Sequence, residues 1–152
     1  MDTTTIIQDF ILVAALAGRT VSVSQIEAKT EPAPHIPPTK LPPGKMAIYV
    51  FSYEEQILKV GKAGPNSSAR FTSQHYNPGS APSTLAATLI KAGNKIGIEN
   101  LTNDSAGSWI KQNTTRTNFL LDINCGIAVL SLFEAFLQCR LNPKYEGFAS
   151  QQ

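Results

Sequence analysis

Acidic residues are missing between Glu55 and Glu99, whereas Lys59, Lys62, Arg70, Lys91 and Lys95 all fall in that stretch. A local positive field is expected there, suited to a polyanion such as DNA, with a solvated basic face as the plainer alternative. The overall formal charge of +2 is too small to name a partner. Cysteine is scarce as well. Cys125 and Cys139 have neither a zinc-ligand spacing nor the density of a secreted disulfide scaffold, so they read as reduced thiols of a cytoplasmic protein. Long apolar runs are lacking too: Phe10 to Ala17 falls far short of the roughly 20 residues that span a bilayer, and no basic residue precedes it. No membrane partner is therefore expected. With 152 residues, 42% of them hydrophobic, the chain suffices for one compact domain plus an arm, but not for two large domains.

Proline, by contrast, is concentrated. Pro32, Pro34, Pro37, Pro38, Pro42 and Pro43 remove backbone donors between Glu31 and Gly44, which predicts an extended linker over residues 31–44. Before it, Ile6, Ile7, Phe10, Ile11, Val13, Ala14 and Ala17 recur at helical spacing up to Gly18, and Ser24 to Thr30 is expected to form a further helical turn. Residues 1–30 thus read as a helical arm. Ala14 and Gly18 are spaced as in a DNA-binding helix-turn-helix, but Ser24 falls where that motif needs an apolar residue, so a packing role is preferred.

After the linker, Met46 to Phe51 and Ile57 to Gly61 read as strands joined by a five-residue loop. Pro65 to Ser68 starts a helix running to about His75, Ser83 caps another through Ala92, and Asp104 or Ser105 caps a third carrying Trp109. Asn118 to Ile123 is a third strand, and Gly126 to Leu141 a final helix ended by Asn142-Pro143.

Several polar residues sit where this pattern would not put them. A five-residue loop pairs Phe51 with Ile57 and Tyr49 with Lys59, on one face with Cβ atoms roughly 5 Å apart. Ile48, Val50, Leu58 and Val60 then face the core. An ammonium beside Tyr49 favours its phenolate and makes it a better proton acceptor, unless the two form only an ordinary cross-strand pair. On the last helix, Leu130, Leu137 and Leu141 mark an apolar stripe that passes through Glu134. A carboxylate there must be paired, hydrogen-bonded or bound to a metal, or else reach water at the stripe edge. Arg70 has the planar fork that suits phosphate. His75, five residues on, lies off its face in a straight helix, so a joint role needs the helix to unwind.

Ala47-Ile48-Tyr49, then Lys59-Val60-Gly61, Arg70, and Glu134 on a late helix before Asn142-Pro143-Lys144-Tyr145 resemble, in order and spacing, a GIY-YIG nuclease over Lys45 to Phe148. The resemblance implies an α+β fold over residues 45–148, with a three-stranded antiparallel sheet flanked by helices. It also implies cleavage of DNA by in-line attack of water, aided by one Mg²⁺ or Mn²⁺. Glu134 would be the metal ligand, Tyr49 the general base or its assistant, and Arg70 the group stabilising charge on the scissile phosphate, with His75 aiding the base. Ala47 replaces the first glycine and Lys59 the second tyrosine of the pattern, and Glu146 falls where an asparagine commonly closes the late motif. Lys59 is expected to lower the pKa of Tyr49 and contact phosphate, and Lys62, Lys91 and Lys95 to bind DNA with Arg70. The departures leave room for a degenerate module that binds nucleic acid without cutting it, or for a structural protein whose proline segment recruits a partner. Target choice is expected from the Gly93 to Arg116 segment, the arm, a homodimer or a targeting partner.

Overall fold

The computed structural model describes residues 1–81 and 83–145. Glu146, and with it the end of the expected 45–148 domain, lies outside the described residues. The chain forms an α+β fold built on an antiparallel sheet of four strands in the order β1-β4-β2-β3. These are β1 (Ile26–Glu31), β2 (Lys45–Tyr53), β3 (Gln56–Ala63) and β4 (Thr115–Asp122). Among the described residues five α-helices accompany them: α1 (Thr3–Leu16), α2 (Ser68–Thr72), α3 (Leu85–Ala92), α4 (Ala106–Asn113) and α5 (Gly126–Leu141).

The expected third strand is therefore a fourth, because the Ser24 to Thr30 segment is not helical. After a single 3₁₀ turn at Val23–Gln25, residues 26–31 pair with β4 from Ile26↔Leu121 to Glu31↔Arg116. An exposed edge of β4 would carry unpaired backbone donors and acceptors, and β1 satisfies them. Helix α1, expected in an arm, packs into the main core. Asp2 caps it by accepting from the Thr4 and Thr5 amides, and Gly18, with φ of 72°, follows its end. Phe10 stacks on Phe133 of α5 at 4.1 Å between ring centres, and Arg140 of α5 pairs with Asp9. The proline segment is likewise anchored: the His35 amide donates to the Lys111 carbonyl at 2.8 Å and the imidazole is buried.

Two cores result, one on each face of the sheet. On the first, Ile48, Val50, Val60, Phe119 and Leu121 meet α1 and α5, whose Val129, Leu130, Phe133 and Leu137 are buried. By length and mean hydropathy Ile123–Leu141 is apolar enough to cross a membrane. On the second face, Ala47, Tyr49 and Phe51 meet Phe71, Tyr76, Leu85, Leu89 and Ile110.

The β2–β3 register departs from expectation. The turn has two residues, Glu54 and Glu55, with Glu54 left-handed at φ 52°, and the strands continue to Tyr53 and Gln56. Leu58 is an extra residue in β3, a bulge that turns it into the second core rather than beside Val60. Tyr49 consequently lies opposite Gly61, and Lys59 opposite Phe51. Tyr49 and Lys59 still share a face, as diagonal neighbours.

If α1 is integral to the core, Phe10→Ala should cost about 3 to 5 kcal/mol of stability. Chemical denaturation would measure it; a loss below about 1 kcal/mol would show α1 to be a detachable arm.

Candidate active site

Gly61 makes room for Tyr49. A Cβ built on Gly61 would lie 2.6 Å from the Tyr49 hydroxyl oxygen, so any side chain there would push the ring out. Seated in this space and fully buried, Tyr49 receives two groups at its oxygen. Arg70 Nε donates to it at 3.1 Å, and His75 Nε2 lies 2.6 Å away. Both reach the same atom because α2 stops after one turn, at Thr72, and a 3₁₀ turn at Gln74–Tyr76 carries His75 back towards β2. This is the unwinding that a joint role of Arg70 and His75 requires.

The hydrogen bonds determine the proton positions. His75 Nδ1 accepts from the Leu85 amide at 3.3 Å, where α3 begins with unpaired donors. A neutral imidazole must then carry its hydrogen on Nε2 and donate it to Tyr49. Burial, reinforced by the cations Lys59, Arg70 and Arg116, pushes the His75 pKa down to about 3, so the ring is neutral at physiological pH. The Tyr49 oxygen thus accepts two donated hydrogen bonds, and its own proton is directed away from both donors.

Lys59 is 1% exposed and donates to Ser83 Oγ at 3.2 Å. Burial, helped by Arg70 and opposed by Glu134, lowers its pKa to about 8. The expectation that a neighbouring ammonium would favour the Tyr49 phenolate is not met. Burial dominates and raises the Tyr49 pKa, while Arg70 and Arg116 pull it down and Glu134 adds to the rise.

Glu134 reaches this group from α5, on the first face of the sheet. Its carboxylate is paired: Lys62 Nζ of β3 lies 2.6 Å from Oε2 and also donates to Ser131 Oγ at 3.2 Å. The stripe-borne glutamate therefore has the partner its position demands, and Lys62 spends its charge there. Because Glu134 acts through space on both Tyr49 and Lys59, the residues singled out on five separate elements form one electrostatic cluster. Lys91 and Lys95 lie apart from it, exposed at the end of α3 and in the 3₁₀ turn that follows.

Among the described residues no group of three or more histidines, cysteines and acids could enclose a metal ion. Glu134 alone suits a hard cation such as Mg²⁺, which is commonly held by one or two carboxylates and completed by water and substrate phosphate oxygens. An ion there would compete with Lys62 for the Glu134 carboxylate. Arg116, His35, Tyr76, Ser83 and Ser131 also belong to the surrounding hydrogen bonds. In the sequence Ser83 reads only as a helix cap and Arg116 only as the end of the 93–116 segment, and neither pattern points to this site.

No family model matches the sequence, and no curated protein or solved structure matches the chain.

His75 gives the site an acid limit. Its folded pKa lies below its ordinary value, so its contribution to stability is complete above about pH 6.5 and declines as pH falls towards 3. Denaturation measured across that range should show the decline, with a shallower slope in His75→Asn. Part of the slope should persist, because burial also lowers the His35 pKa. An identical slope in the variant would mean that His75 does not titrate in this way.

Proposed function

We propose that this protein is a metal-dependent DNA endonuclease of the GIY-YIG type, in which Tyr49 activates water for attack on a phosphodiester. The observation that carries the reading is the meeting of Arg70 and His75 on the Tyr49 oxygen, beside Lys59 and within reach of the Glu134 charge. Burial raises the Tyr49 pKa, but the two donors on its oxygen favour the phenolate, which forms as the phenol gives its proton to solvent and then takes the proton of the attacking water. As the water oxygen bonds to phosphorus, the bond to the leaving oxygen breaks. Arg70, exposed and charged, and the Lys59 ammonium balance the charge that builds on the phosphate. A divalent ion on Glu134 would supply charge neutralisation at the leaving oxygen. His75, neutral and donating, holds the phenolate rather than accepting a proton itself. DNA is the partner, with Lys62, Lys91 and Lys95 as further candidate contacts and target choice left to a second subunit, a targeting protein or the 93–116 segment.

A second reading, a nucleic-acid-binding module without catalysis, is favoured by one contact: Lys62 already pairs with the Glu134 carboxylate. Supercoiled plasmid with Mg²⁺ or Mn²⁺ decides between them. The parent should nick and linearise it, Glu134→Ala should lose the metal-dependent reaction, and Tyr49→Phe should fall about 100-fold or more. DNA binding that weakens with salt, without cleavage, would replace the first reading by the second.

Lys59 predicts a further pH effect. It loses its charge as pH rises through about 8, so DNA affinity should fall between about pH 7 and 9 in the parent and stay level in Lys59→Arg. Fluorescence anisotropy with a labelled duplex reads this directly. Parallel curves for the two proteins would remove Lys59 from the phosphate contacts.

A further inference from the structure

Arg116 stands on β4 with no solvent exposure, and among the described residues no carboxylate pairs with it. Each of its three nitrogens instead has a neutral acceptor. Nε donates to Asn118 Oδ1 at 2.8 Å, Nη1 to the Tyr76 hydroxyl at 3.0 Å and Nη2 to the Phe71 carbonyl at 2.5 Å. The guanidinium carbon also lies 4.9 Å from the ring centre of Phe71, 5.2 Å from Phe51 and 5.6 Å from Tyr49. Burying an arginine without a counter-ion is costly, and aromatic faces and three acceptors offset only part of the cost.

What the charge holds explains its position. Phe71 follows Arg70, and Tyr76 follows His75. Helix α2 is a single turn, too short to persist alone, and the Phe71 carbonyl is one of the acceptors its end leaves without a helical partner. Tyr76 is held from the far side as well. His35 Nδ1 lies 2.7 Å from the Thr114 carbonyl, which can only accept, so Nε2 accepts from the Tyr76 hydroxyl at 2.8 Å. The Tyr76 oxygen is then free to accept from Arg116. A continuous chain of donors thus runs from Arg116 through Tyr76 and His35 to the Thr114 carbonyl.

We propose that Arg116 is a positioning residue: one guanidinium clamps Phe71 and Tyr76, and through their chain neighbours Arg70 and His75 it sets both hydrogen bonds on the Tyr49 oxygen. The clamp itself follows from the geometry, whereas its effect on DNA cleavage rests on the function proposed above. Its fixed charge behind the Tyr49 ring also favours the phenolate.

Arg116→Lys keeps the charge and loses the fork, Arg116→Met loses both, and Tyr76→Phe removes one arm of the clamp. The clamp is read without any reaction by NMR, from the buried His75 Nε2 proton bonded to Tyr49, assigned by its loss in His75→Asn. That proton should exchange at least about tenfold faster in all three variants than in the parent. In plasmid nicking, Arg116→Lys should lower kcat about tenfold with KM within about twofold of the parent. Arg116→Met should also move the ascending limb of the pH–rate profile, set by Tyr49, to higher pH, and Arg116→Lys should leave it in place. If Arg116→Met does not fold, Arg116→Lys and Tyr76→Phe carry the test. A folded Arg116→Lys whose His75 proton is as protected as in the parent overturns the clamp. A parent protein that cuts no DNA counts against the nuclease reading alone, and the exchange measurement still decides the role of Arg116.

Discussion

The seating of Tyr49 over Gly61 constrains most of what surrounds it. A phenol ring of this size fits on the second face of the sheet only because the opposing residue has no Cβ. That opposition requires the β2–β3 register observed, and the register in turn requires a two-residue turn and the extra residue at Leu58. Shift the pairing by one position and every side chain of β3 changes face: Lys59 and Gly61 would join the first core, and Lys62 would leave α5. The register therefore brings Tyr49, Lys59 and Lys62 to their places at once.

Around that tyrosine the charges are unequal. Lys59, Arg70 and Arg116 lie around His75, and among the described residues Glu134, paired with Lys62, is the carboxylate that acts on Tyr49 and Lys59. Burial, reinforced by these three cations, discourages protonation of His75 and leaves the ring a fixed donor. Burial works against the Tyr49 phenolate, and the donors on its oxygen work for it.

The segment before β2 has a structural part in this arrangement. Helix α1 and β1 complete the first core and the β4 edge, and His35, from among the prolines, closes the donor chain that begins at Arg116. Proline's lack of a backbone donor made residues 31–44 read as a linker. Nothing in that composition reveals that one imidazole among them is buried 2.8 Å from a tyrosine hydroxyl.

The local elements are largely legible. Helix α5 keeps the boundaries its apolar spacing implies and β2 and β3 lie close to where the apolar runs put them, while Tyr49 and Glu134 stand out against apolar patterns, Arg70 by its planar fork in a stretch without acids, and His75 by the family resemblance. The Ser24 to Thr30 segment was misjudged because its pattern fits a helical turn or a strand about equally, and the free edge of β4 decides between them. Tertiary structure alone determined the pairing of Glu134 with Lys62, the bulge that sets Tyr49 against Gly61, and the burial of Arg116. Periodicity along a chain reports which face a residue takes, whereas these features depend on which residues of distant segments arrive at the same point, and that is settled by packing.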